Sequence, residues 1–328
     1  MGKHENRLQR VHGVIAALGL LLVSTAAAGA PFAYITNQGS DTVSVIDLAV
    51  DEMSADISVG KGPVGIAIDP VQERAYVSNV DGRSVSVIDM QSNRVIHEIA
   101  LKIAPVGLAL SKTGGQLFVA DWFHDRVLLI DTESYQQTGE IEIGEAPSGM
   151  EVSREGATLY VANRDSDDVG VIDIRSRKLV SKIPVGKHPF GMVLSGDGRH
   201  LLVVNVESNS LSVIDIRRDQ VVATIPVGEH PYCVTSSPDG RYAYVTNTGE
   251  DTVSVIDAQA RKVIATIDVD GFPEGVSFDA RHQRVYVASW MDNAVSVIDA
   301  KTNRKIKSIS TGSQSRSFGQ FIGYPVQP

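Results

Sequence analysis

Tyr76-Val77-Ser78-Asn79 and, after a four-residue gap, Ser84-Val85-Ser86-Val87-Ile88-Asp89 decide how this chain folds. Both runs are β-branched, aromatic or small. The gap between them, Val80-Asp81-Gly82-Arg83, carries turn residues, so the pair reads as two strands and a tight turn. The same pair recurs along the chain. The Val-Ser-Val-Ile-Asp string and its variants end at Asp47, Asp89, Asp131, Asp173, Asp215, Asp257 and Asp299, always 42 residues apart. The upstream string varies as Tyr34-Ile35-Thr36-Asn37, Phe118-Val119-Ala120-Asp121 and Tyr286-Val287-Ala288-Ser289. A third string is a Gly-x-x-Pro-x-Gly turn, as in Gly60–Gly65 and Gly186–Gly191.

Each repeat holds four short strand-like runs. In the second they are 64–69, 74–79, 84–89 and 94–101. Four strands in about 42 residues is the size of one propeller blade. The Val-Ser-Val-Ile-Asp run is apolar on both faces, as a sheet packed between two neighbours requires. No segment after residue 30 has a helical apolar period. Seven repeats predict an all-β, seven-bladed propeller of four-stranded blades. The first repeat starts at a second strand, 32–37, and the chain ends with 316–322 in register with first strands. The C-terminal strand is therefore expected to complete the N-terminal blade and close the ring, pairing edges that would otherwise stay open.

These repeats resemble the YVTN/YncE-like β-propeller family over residues 32–322. The resemblance implies the fold strongly and the function weakly. Its scaffold serves binding proteins and surface-layer modules, and it reaches lyases and subunits associated with periplasmic dehydrogenases.

Repetition supplies an internal control. Residues shared by all repeats, such as the Asp of Val-Ser-Val-Ile-Asp, the Asn after Tyr-Val-Thr and the Pro-Gly turn, belong to the blade, their side chains bonding turn amides. Function belongs where one repeat departs from the rest. Two loops, the turn entering the first strand and the loop between second and third strands, are expected to line one mouth. There the departures are Trp122, His124, Arg164, His188, Phe190, His230, Tyr232, Glu274, Trp290 and Arg316. The only two tryptophans hold equivalent positions four repeats apart and are expected to face each other across the ring. His188 and His230, equivalent in adjacent repeats, are the candidate ligands of a divalent transition metal such as Zn(II) or Cu(II), with His124 or Glu274 in support. The lone Cys233 replaces a glycine and reads as a small buried residue. Glu151 replaces a small or neutral residue within an inner strand and is expected to face the channel.

The N-terminus reads as an address. Lys3, Arg7 and Arg10 precede an apolar run, Gly13 to Thr25, and then Ala26-Ala27-Ala28, the pattern of a secretory signal peptide covering residues 1–28. An uncleaved anchor is the alternative. Cleavage removes three positive charges and one negative, taking the formal net charge from −9 to −11. No other run is long enough to span a bilayer. The expectation is one propeller domain over residues 29–328, monomeric, periplasmic or extracellular, with no membrane contact after cleavage.

One cysteine excludes a disulfide framework and a Cys-x-x-Cys site. Gly60-x-Gly62-x-x-Gly65 matches a dinucleotide fingerprint in letters only, since no helix follows it. The leading reading is a non-enzymatic protein that binds a small ligand, a metal or a partner protein at one mouth. A second is a propeller enzyme or enzyme subunit using His188 or His230 as acid, base or metal ligand, with Arg316 or Arg164 steadying an anion. A third, single-stranded nucleic-acid binding, is disfavoured by the acidic balance.

Overall fold

A computed structural model describes residues 31–324; the signal-peptide expectation falls outside them. Within this span seven four-stranded antiparallel sheets follow one another around a ring. Blade 1 combines Phe32–Asn37, Thr42–Asp47 and Glu52–Ser58 with a closing strand at Ile322–Gly323. Blade 2 runs through Pro63–Asp69, Arg74–Asn79, Ser84–Asp89 and Arg94–Ala100, and blades 3 to 7 repeat that order. One turn of 3-10 helix, Val206–Ser208, is the only helical element among the described residues. No described helix is long and apolar enough to cross a membrane.

Burial follows strand position. The two central strands of each blade are covered on both faces, as in the almost wholly buried Ser84–Asp89. The outer strands are largely exposed or half-buried instead, and each anchors itself with one isoleucine: Ile57, Ile99, Ile141, Ile183, Ile225, Ile267 and Ile309 are all buried. A large residue of the second strand, Tyr34, Tyr76, Phe118, Tyr160, Leu202, Tyr244 or Tyr286, fills the space between successive blades. Burying that apolar surface between sheets is the main stabilising term.

Shared polar residues do scaffold work. The Asp that ends each third strand accepts backbone amides of the next turn, as Asp89 does from Ser92 N at 2.7 Å and Asp257 from Ala260 N at 2.7 Å. The Asn of the second strand instead ties its own hairpin. Asn79 Nδ2 donates to Ser84 Oγ and Ser86 Oγ at 3.0 and 2.9 Å, and Asn37, Asn205 and Asn247 do the same.

A further contact latches blade to blade. The amide before the turn proline, or before Ser315 in the last copy, donates to an Asp or Asn in the hairpin of the preceding blade. Gly62, Ala146, His188, His230, Phe272 and Gln314 bond Asp41, Asp125, Asp167, Asn209, Asp251 and Asn293 at 2.7–3.0 Å. Every donor and acceptor residue in this set has positive φ. Between blades 2 and 3 the acceptor position holds Arg83, which cannot accept the bond, and Ala104 leaves the left-handed region.

The ring closes through the C-terminal segment. Ala33 pairs with Ile322 and Phe32 with Gly323, and Tyr34 N donates to Phe321 O at 3.0 Å. Regular pairing is shorter than the sequence predicts over 316–322. Ser317 and Gly319 adopt positive φ, and between the closing strand and the single antiparallel bridge Asn37–Ser315 the chain instead meets the neighbouring blade 2 through a parallel bridge, Gly65–Phe318. Phe321 is wholly buried at this junction. Phe321→Ala is expected to cost about 3–5 kcal/mol, measured by urea denaturation. A loss below about 1 kcal/mol would place the closing segment outside the cooperative core.

Candidate functional site

The two loops expected to share a mouth do meet. Gly82 N donates to Lys61 O at 2.9 Å in blade 2, and Trp290 N to Phe272 O at 3.0 Å in blade 7. This end is called the upper mouth here, and the opposite end the lower mouth.

The residues following the turn proline or, in the last copy, Ser315 are Val64, Val106, Ser148, Phe190, Tyr232, Glu274 and Arg316, and they come from all seven blades. Val64 and Val106 join the same apolar cluster as Phe190, Tyr232 and Phe318, and Phe318 N donates to Val64 O at 3.0 Å. Phe190 lies 4.3 Å from Tyr232 and 4.6 Å from Phe318, ring centre to ring centre. Trp122 packs on Phe190 at 6.0 Å, and the Arg164 guanidinium lies 5.7 Å over its indole. Together these side chains plug the upper channel.

The charged members of the set satisfy one another. Arg316 donates through Nε and Nη2 to the two Glu274 carboxylate oxygens at 2.5 and 3.0 Å. It also donates to Tyr232 OH at 3.1 Å and to Gln38 Oε1 at 2.8 Å. Glu274 is only 3% exposed. Burial pushes its carboxyl up, and Arg316 opposes that shift. The guanidinium expected to steady an anion is thus committed to the ring. Cys233 is buried beneath, its thiol pushed well up by burial and then by Glu274.

The remaining predicted residues sit on the rim. His124 Nδ1 bonds Asp121 at 2.8 Å, and Arg164 pairs with Asp165. His188 Nδ1 lies 3.8 Å from Glu207, and His230 is exposed. Among the described residues no group of three or more His, Cys, Asp or Glu side chains is arranged to hold a metal ion. Trp290 packs on Phe272 at 5.8 Å. The two tryptophans therefore differ: Trp122 is part of the plug, and Trp290 pairs within its own blade. Beside each stands an exposed apolar residue, Phe123 (69% exposed) and Met291 (65%).

The lower mouth holds a cavity of about 280 Å³ that the reading of the upper loops overlooks. Its walls come from inner strands, with Leu108, Leu110, Met150 and Met192 on one side and Gln320 on the other. Glu151 and Lys112 are its charged residues, with Oε1 to Nζ at 4.0 Å. Glu151 does face this space, as its break from the repeat indicated. Lys112 was legible only as one variant of a turn position that elsewhere holds Pro70, Arg154, Gly196, Pro238 and Ala280. Burial raises the Glu151 carboxyl to about 7, with Lys112 opposing.

Removing the Arg316 charge leaves Glu274 buried and unpaired. Arg316→Ala is expected to cost about 3–5 kcal/mol in urea denaturation; a negligible loss would mean that water replaces the guanidinium. Glu151 gives a signed pH dependence. Its folded-state pKa lies above the ordinary 4.5, so stability falls as pH rises from about 4.5 to about 7 and stays lowered above. Glu151→Gln is expected to stabilise by about 1–3 kcal/mol near pH 8 and by almost nothing near pH 4. Equal effects at the two pH values would contradict this.

Comparison with known proteins agrees with the geometry. The family model described as "Lactonase, 7-bladed beta-propeller" matches residues 30–225, more than half of the chain. The "YNCE-like beta-propeller" model matches residues 192–284. A chain of Kuenenia stuttgartiensis hydrazine synthase superposes with a TM-score of 0.71 at 24% identity, covering 77% of this chain and 88% of that one. The dihydro-heme d1 dehydrogenase NirN, in complex with DHE, superposes with a TM-score of 0.67 at 17% identity, covering 90% of this chain and 75% of that one. A PE-PGRS family protein of Mycobacterium tuberculosis is 53% identical over 38 residues, which are 12% of this chain and 8% of that protein. The chain thus matches only a small part of that curated relative. Seven repeats, seven blades and both family matches coincide: the chain belongs to the seven-bladed lactonase-type β-propellers, with YncE-like repeats.

Proposed function

We propose that this protein is a binding propeller of the periplasm or cell exterior, docking a protein partner on its upper face. One observation carries the reading: the exposed Phe123 and Met291 occupy the same repeat position, where the other blades have Gly39, Asp81, Asp165, Glu207 and Gly249. The blade does not need an apolar group there, and a large solvated side chain loses nothing by being polar. Each apolar residue stands next to a tryptophan, and aromatic groups beside apolar ones are typical anchors of protein contacts. The plug beneath favours a broad partner, because it fills the channel at this end. The basic and apolar N-terminal segment supports the location.

A photo-crosslinking residue placed at 123 or 291 in the native host tests this. A discrete adduct is expected from both positions and not from Ile96, which is exposed on an outer strand. Trp122→Ala should weaken capture at 123. Adducts of equal yield from position 96 would overturn the assignment of the upper face.

A further inference from the structure

Glu151 stands where the other six blades have Ala67, Ala109, Val193, Thr235, Ser277 and Gly319. The repeat shows that neither the fold nor the channel requires a carboxylate at this position. The side chain is 19% exposed and lines the lower cavity. It accepts no hydrogen bond from the described residues, and its one charged neighbour, Lys112, is 4.0 Å away with a side chain 47% exposed. That distance is a loose ion pair and not a hydrogen bond. By contrast, the buried carboxylate of the upper mouth, Glu274, is held by two guanidinium nitrogens. A carboxylate kept in an apolar wall with so little compensation is costly. Its presence against the repeat is what a ligand-facing group would show.

The surroundings set the ligand's chemistry. Leu108, Leu110, Met150 and Met192 offer an apolar wall beside the carboxylate, and thioether side chains adapt to varied shapes. At the far wall the Gln320 carbonyl oxygen lies 3.4 Å from the hydroxyls of Thr235 and Ser277. An anion held in the cavity by Lys112 would also face Glu151, whose Oε1 lies 4.0 Å from that ammonium. A neutral molecule would add no charge partner to this loose ion pair. A cation with an apolar body satisfies both the carboxylate and the wall. We propose that the lower mouth binds a small organic ammonium ion, its charged head on Glu151 and its apolar body against Leu108, Met150 and Met192. Lys112 covers the carboxylate in the empty site and swings aside, as its long half-exposed stem allows. The site lies at the opposite end from the proposed docking face, so the two readings stand or fall separately.

Isothermal titration of the purified protein near pH 8 with phenethylammonium chloride, phenethyl alcohol and phenylpropionate tests the proposal. These probes share a body and differ in the charge of the head. The ammonium ion is expected to bind one to one, at least about tenfold more tightly than either of the others. Glu151→Gln should remove that preference while its thermal midpoint is kept or raised. Lys112→Met, a change on an exposed turn, should tighten ammonium binding a few-fold, and it reports even if Glu151→Gln does not fold. Unchanged ammonium affinity in Glu151→Gln, equal binding of the alcohol, or no binding of any probe would overturn the proposal. Tightest binding of phenylpropionate would also overturn it and would make Lys112 the anchor of an anion site.

Discussion

Neighbouring inner strands touch at a glycine, and the rest of the ring depends on that contact. A Cβ at Gly65, Gly107, Gly149 or Gly275 would run into the carbonyl oxygen of Val106, Ser148, Phe190 or Arg316 on the next blade. Glycine is needed here for close approach more than for unusual dihedral angles. Two blades carry a side chain at this position. Cys233 keeps the bond to its own second strand, its amide donating to Thr246 Oγ1 at 3.0 Å as Gly65 N donates to Ser78 Oγ at 2.8 Å. Ser317 turns to positive φ, and its amide donates to Thr36 Oγ1 at 2.7 Å. Close inner strands bring the side chains just before these positions to the axis. That is why Val64, Phe190, Tyr232, Glu274 and Arg316, far apart in sequence, converge into one plug.

The architecture was legible because the repeat makes it redundant. Any one Val-Ser-Val-Ile-Asp run is an ambiguous apolar stretch, but seven at a constant interval leave only a stacked or closed array of sheets. Closure followed from the missing first strand, although the ladder proved shorter once Ser317 and Gly319 left the β region. The blade-to-blade latch was also written in the sequence, as Asp or Asn at 41, 125, 167, 209, 251 and 293. It passed for ordinary turn chemistry because an Asx residue can bond its own loop as readily as the next one.

The candidate site was less legible. Departures from the repeat identify unusual residues but not what they touch. Arg316 looked like a free cation, yet its partners lie 42, 84 and 278 residues away in sequence. Trp122 and Trp290 looked equivalent, yet Phe190 stands near one and Phe272 near the other. Glu151 was flagged correctly as channel-facing, whereas Lys112 and Gln320 were not, because a turn lysine and a terminal glutamine are unremarkable until the ring closes around them. The result is a molecule with unlike ends: one sealed by a plug, with two exposed apolar side chains on an otherwise polar rim, the other open with an under-compensated carboxylate.

The joint between blades 2 and 3 has one more consequence. It lacks the Asx latch because of Arg83, and Ile103 is buried there, where the other turns carry Lys61, Glu145, Lys187, Glu229, Gly271 and Ser313. One interface has therefore exchanged a polar fastening for an oily one. Contacts of that kind lose strength in the cold, whereas hydrogen bonds do not depend on the ordering of water around apolar surface in the same way. One joint of a nearly symmetric ring is thus expected to respond to temperature differently from the other six, loosening first on chilling.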